Sequence, residues 1–374
     1  MLSEFDDYPF HQIADHFDGC GTGDHRFFDR YWWVAYDREN RAQVNTGLGV
    51  YKNMNVLDGF GTVLIGGKQH NVRTSRSWRP NVGRIGAGPL DYIIKEGLKS
   101  FRLLLESNEF GVAFDLSWEA ILPAFDEPHH RRQVGGVLHE DYRRYYQFGK
   151  VNGWAEAGGE RIEVRDWFGF RDRSFGVRPG VGGPPPPTPP TPPTGARVTS
   201  VISGMAFACE DGTHGSLQIQ EDDAGRVVYS GGKLIRRFGE GWREVTIDRA
   251  EVDIPLREGT LRPTALNFDF TAGGERFELR GTPLSDGFVY QGYGYFNGYR
   301  DQKGLGAWRG DGIVESETYD VSDQANVRDL SGHVTFPPIV PHEYPLVITL
   351  NGVPGMADSM VGFTGPHPRY RPQG

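Results

Sequence analysis

Residues 182–195 read GGPPPPTPPTPPTG, and no regular element can run through such a stretch. Proline lacks the backbone N–H that a helix or a sheet ladder needs, and a run of it stays extended as polyproline II. The 374-residue chain therefore reads as an N-terminal β domain over 1–181, a linker over 182–195 and a C-terminal β domain over 196–336. A Pro/Gly-rich tail over 337–374 is expected to run over the surface. Each half is long enough to bury its own core. An SH3-type ligand is the other reading of the proline run, and a stiff spacer is the simpler one.

On both sides of the spacer the dominant signal is period-2 alternation. In the first half, Arg30–Tyr36, Val63–Ile65, Phe110–Leu116 and Glu160–Val164 are strand-like and bounded by turn residues. Residues Leu90 to Glu106 fit either period, but Gly97 at the centre favours two strands. A short helix is expected near Tyr8–Phe17. In the second half, Ser216–Gln220, Val245–Ile247, Glu251–Ile254, Leu266–Phe270, Arg276–Leu279 and Ile313–Glu315 alternate more cleanly. Short strands with one wet face make an antiparallel sandwich or barrel, so the fold class is all-β, with two antiparallel β-barrel domains. With 52 glycines and 13% aromatic residues, a helical bundle is excluded.

Forty Lys+Arg stand against 49 Asp+Glu, a net charge of −9, and neither half is basic. The phosphate-neutralising charge that drives nucleic-acid binding is missing. Cys20 and Cys209 fall one in each half and make neither a disulfide framework nor a zinc set. The start MLSEFDD has no signal-peptide pattern, and no apolar run approaches a membrane span. A soluble, reducing, cytoplasmic setting is the expectation. No nucleophile elbow, phosphate loop, HExxH or CxxC occurs, so any activity should need neither metal nor nucleotide cofactor. His129, His130 and His139 read as a polar loop beside Arg131 and Arg132, and Glu127 and Glu140 lack the spacing of a paired-carboxylate site.

The segment YYQFGKVNGWAEAGGERIEVRDWFGFRDRSFG, residues 145–176, resembles the carotenoid 1,2-hydratase-like or AttH-like superfamily. Asn55–Phe60 and Gly304–Gly312, which includes Trp308, are similar to its bacterial branch. The resemblance implies tandem lipocalin-like barrels, with relatives that hydrate alkenes, cyclise tocopherol precursors or act as fungal Diels–Alder cyclases. The hydratase signature runs roughly His-Asp-His-Asn-Trp-Gly, where this chain has Arg171, Asp172, Arg173, Ser174, Phe175 and Gly176. Only the Asp and the Gly match, so no histidine role carries over.

Asp172 is thereby the leading candidate carboxylate. Arginines on either side would hold it ionised, suited to electrostatic or base work, with Tyr293, Tyr295 or Glu315 as the proton donor. On a regular strand, however, Arg171 and Arg173 point away from Asp172, and the pairing must then come from other arginines. Candidate ligand-binding residues are Trp33, Tyr146, Trp154, Arg171, Arg173, Tyr299 and Trp308, with Tyr293 and Tyr295 on one face of a strand. Phenols orient a carbonyl or hydroxyl, and aromatic faces stabilise a carbocation. Glu315 and Glu317 share a strand face that is either solvated or turned into a cavity. Three functions compete: a cofactor-independent lyase, hydratase, isomerase or cyclase acting on a hydrophobic small molecule in a barrel cavity; a non-catalytic lipophile carrier; and a partner-binding module.

Overall fold

The computed structural model describes residues 4–9, 18–39, 41–134, 136–182, 199–295, 301, 303–323, 327–330 and 342–370. Among these the structure is all-β, and its only helical pieces are two 3-10 turns, Glu4–Asp7 and Lys52–Met54. The expected linker and most of the expected helix near Tyr8–Phe17 lie outside the described residues; Tyr8 and Pro9 form a bend. Among the described residues no helix is long and apolar enough to cross a membrane.

The chain divides into two compact units. The first comprises residues 1–194 with 291–320 and 329–333, and the second residues 195–290, 321–328 and 334–374. Residues 291–320 thus belong with the first unit, not with the stretch that follows the proline run. The physical reason is strand pairing: Ile313–Asp320 adds to an edge of the first sheet, with Glu315 opposite Arg73 and Glu317 opposite Asn71. Alternation identifies such a strand but not its partner.

In the first unit, β1 (Phe27–Tyr36), β2 (Ala42–Tyr51), β3 (Val56–Ile65) and β4 (Lys68–Ser77) form an antiparallel meander. The other edge of β1 pairs with Glu160–Val177, the second arm of a long hairpin whose first arm is Val137–Ala157. Ala113–Ala120, Ser100–Leu105 and Leu90–Glu96 continue the sheet, the last two being the pair divided near Gly97. The sheet curls on itself. A Cβ on Gly61 would lie 2.9 Å from a Phe114 ring carbon and 3.0 Å from Leu105 Cδ2, so only glycine lets that far wall close in.

The pleat then gives the sheet two unlike faces. The inner face carries Tyr31, Trp33, Val44, Leu48, Phe101, Phe114, Trp118, Val151 and Trp167 as one packed core. Each such side chain contributes roughly 1.5–3 kcal/mol by leaving water. Two guanidinium groups share this apolar side. Arg171 pairs with the buried carboxylate of Asp7, and Arg173 with that of Asp29. Asp7 also accepts from the Tyr145 hydroxyl at 2.9 Å and from the Leu98 N–H, while its carbonyl accepts from the Tyr31 hydroxyl at 2.5 Å. The N-terminal turn is pinned to the core by these bonds.

The second unit is a closed eight-stranded antiparallel barrel. Its strands are Thr199–Cys209, His214–Asp222, Val227–Phe238, Gly241–Asp253, Leu266–Ala272, Glu275–Pro283, His342–Leu350 and Val353–Phe363. Glu275–Pro283 pairs with His342–Leu350 to complete the ring. The last two strands come from the segment expected to be a Pro/Gly-rich tail running over the surface, and they correct that expectation. Pro345 is tolerated because the strand uses it only as an acceptor; its carbonyl takes the Leu284 N–H at 2.8 Å. Met205, Phe207, Leu217, Leu234, Phe268, Leu279 and Leu346 fill the interior.

Cys209 lies in this barrel wall, and burial pushes its thiol up to about 12. Cys20 is partly exposed and donates to Asn53 Oδ1 at 2.9 Å. A thiol reagent at pH 8 should therefore modify Cys20 in the native protein and reach Cys209 only when urea unfolds the barrel. Mass spectrometry of the labelled peptides checks this. Equal labelling of both in the native state would contradict the placement of Cys209.

Candidate functional site

The outer face of the first sheet collects most of the chemistry. Register puts one side chain per strand into a single lateral row: Glu315, Arg73, Phe60, Gly47, Trp32, Asp172, Tyr146 and Phe125. Asp172 lies directly between Trp32 and Tyr146, at the 4.5–5.5 Å spacing of facing antiparallel residues. Gly47 is what lets this row be aromatic. A Cβ there would meet the Phe60 ring at 2.6 Å, so the missing side chain leaves room for Phe60 to lie against Trp32, with centroids 5.6 Å apart.

Tyr293 and Tyr295 do join this face, though not from a strand. Residues 291–295 are turns, with Gly292 and Gly294 in the left-handed region at φ 79° and 84°. Tyr293 is fully buried and stacks on Phe60 at 3.9 Å and 8°, edge-on to Trp32 at 5.8 Å. Tyr295 meets Trp32 edge-on at 6.1 Å. Tyr290, by contrast, belongs to the second unit, where its hydroxyl donates to Glu343.

Beside Asp172 the face is charged. Arg30 and Arg144 both stand opposite Ser174, two residues along from Asp172 and on the same face. Arg144 Nη1 donates to the Tyr146 hydroxyl at 3.0 Å, and that hydroxyl donates to Glu127 Oε2 at 3.0 Å. His130 Nε2 lies 3.1 Å from the other Glu127 oxygen, its ring stacked on Tyr142 at 4.7 Å and 4°. Arg30 is held by Asp58 at 3.5 Å and by the Tyr51 hydroxyl. Burial acts to raise the Glu127 carboxyl, yet Arg144, His130 and the Tyr146 hydroxyl together pull it below its ordinary value. Burial, aided by Glu127 and Asp172, holds the Tyr146 phenol well above its own.

Asp172 itself departs from the sequence expectation. Its carboxyl is raised, not lowered: burial dominates, Glu127 adds to it, and Arg144, Arg178 and Arg30 offset it only in part. The cause is the pleat. Arg171 and Arg173 face the core and are committed to Asp7 and Asp29, so neither guanidinium reaches Asp172. Asp172 is thus a half-buried carboxyl that keeps its proton to higher pH than a surface aspartate.

The other sequence candidates scatter. Trp33 packs in the inner core against Phe101 at 4.9 Å and Trp118 at 5.3 Å. Trp154 sits under the Arg161 guanidinium at 3.8 Å, eight residues and about 27 Å along its strand from Tyr146. Glu315 is in the same lateral row as Asp172 but five strands away, about 24 Å; half exposed, it is paired with Arg73 at 2.8 Å. Glu317 shares that arginine and accepts from the Tyr319 hydroxyl at 2.6 Å. Trp308 is 49% exposed, and Tyr299 lies outside the described residues. Sequence reading missed Arg144, Glu127, His130 and Arg178 as members of the site. The one available signal was the Tyr142–Tyr146 stretch, whose even positions share a face with Asp172. Among the described residues no three His, Cys, Asp or Glu side chains gather as metal ligands.

Comparison with known proteins agrees with this architecture. A protein from Nitrosomonas europaea described as a candidate AttH superposes with a TM-score of 0.55 at 13% identity, over 90% of this chain and 93% of its own. CghA aligns with a TM-score of 0.42 at 9% identity, over 91% and 90% of the two chains. Comparison with curated protein sequences returns no match. The first likeness shows the fold, which is that of AttH-like proteins, as the 145–176 segment implies. A family model covers residues 2–336, and by that match the chain belongs to DUF8625, a family of unknown function.

Proposed function

We propose that the outer face of the first sheet is the active site of a cofactor-independent enzyme that isomerises, cyclises or hydrates an unsaturated hydrophobic small molecule. The observation that carries this reading is the Trp32–Asp172–Tyr146 row. It sets a carboxyl with a raised pKa between aromatic faces on one side and a phenol–carboxylate–imidazole chain on the other. A carboxylic acid that keeps its proton can donate it to an alkene or a carbonyl. Trp32, Phe60, Tyr293 and Tyr295 provide π faces for the cationic character that follows. Tyr146, fixed between Arg144 and Glu127, orients an oxygen of the substrate or the returning proton acceptor.

A carrier would use the same aromatic face without the acid, and product formation separates the two. Ligands retained through purification are identified by native mass spectrometry and incubated with fresh protein. The enzyme reading expects an isomer of unchanged mass or a product heavier by one water. Tyr146→Phe should retain binding and slow turnover about 10- to 100-fold, the lower range of what a positioned proton-transfer group contributes. Unchanged ligand after long incubation would leave a carrier and contradict catalysis.

A further inference from the structure

Resting on that reading, we infer that the ligand carries a carboxylate, and that Arg178 receives it. Three arginines approach Asp172 on this face, and two are already matched: Arg144 with Glu127, Arg30 with Asp58. Arg178 is half-buried, and among the described residues no carboxylate lies within ion-pair distance of it. Its Nε is buried without a hydrogen-bond partner. The guanidinium lies between two rings, 4.8 Å from the Phe28 centroid and 5.5 Å from that of Tyr295, and Nη2 is 3.4 Å from the Tyr295 hydroxyl.

A guanidinium Nε withdrawn from water and left without a partner is unfavourable unless something else supplies an acceptor. Nε and Nη2 form one edge of the guanidinium fork, the edge that grips a carboxylate through two parallel hydrogen bonds. A carboxylate seated there lays the apolar remainder of its molecule along Tyr295 and Trp32, within reach of Asp172. The substrate class is therefore an unsaturated apolar acid. A neutral hydrocarbon would leave this edge empty.

The test uses the full chain and competition for Nile red, a neutral apolar dye, by dodecanoate and by dodecanol. Dodecanoate should displace the dye at a concentration at least tenfold lower than dodecanol. In Arg178→Gln that preference should fall to near parity while dye and dodecanol binding stay unchanged, which also shows that the variant is folded. Arg178→Lys, keeping the charge but not the fork, should retain part of the preference. Equal displacement by acid and alcohol in the native protein, or a preference that survives Arg178→Gln, overturns the carboxylate assignment and leaves the apolar site standing. Failure of the dye to bind at all removes the site and the assignment together.

Discussion

Asp172→Asn is expected to leave the protein folded, with a melting temperature equal to or above that of the native chain, while turnover falls by about 10²–10⁴-fold. The fall is what a general acid contributes. The stability result follows from linkage. Folding raises the Asp172 carboxyl above its ordinary value, so between the unfolded and the raised value the native state holds a proton that the unfolded chain has lost. Stability therefore declines as pH rises from the unfolded value through the raised one, and asparagine removes that decline. Activity depending on the protonated acid should fall over the same upper limb. A pH–rate profile and a pH series of melting curves on both proteins check the two halves. A large loss of stability in the variant would mean that Asp172 serves the fold.

The second large effect lies at the other face. Asp7→Ala should cost about 3–5 kcal/mol, because Arg171 would stay in the core with its counter-ion gone. Against a typical total of about 5–15 kcal/mol, that is a severe loss for a residue so near the chain terminus. Tyr145 and the Leu98 N–H would lose a partner at the same time. Urea unfolding at pH 7 measures it. A midpoint within error of the native one would show that the N-terminal turn is not held as described.

The contrast between Asp7 and Asp172 explains what was legible in the sequence. Period-2 alternation is a local property, so the all-β class and strands such as Glu160–Val177 could be read directly. The opposed directions of Arg171, Asp172 and Arg173 were legible for the same reason. Their partners were not, because pairing across a sheet depends on register, which no local pattern carries. Asp7 meets Arg171 across 164 positions of sequence, and Asp29 meets Arg173 across 144. His130 read as part of a polar loop and Glu127 as a carboxylate without paired-site spacing; the strand Val137–Ala157 brings Tyr146 and Arg144 against Glu127, which His130 meets from its other side. The 342–363 strands were hidden by prolines that their sheet tolerates. Tyr293 and Tyr295 were expected on one face of a strand; glycine turns, not a strand, bring them against Trp32.

A crystal structure with the retained ligand, or with an unsaturated apolar acid soaked in, tests the location of the site most directly. Ligand density is expected against Trp32 and Tyr295, with a reacting carbon near the Asp172 carboxyl and a carboxylate on Arg178. Density enclosed by Trp33, Phe101 and Trp118 on the inner face, or within the barrel of the second unit, with the outer face empty, would contradict it.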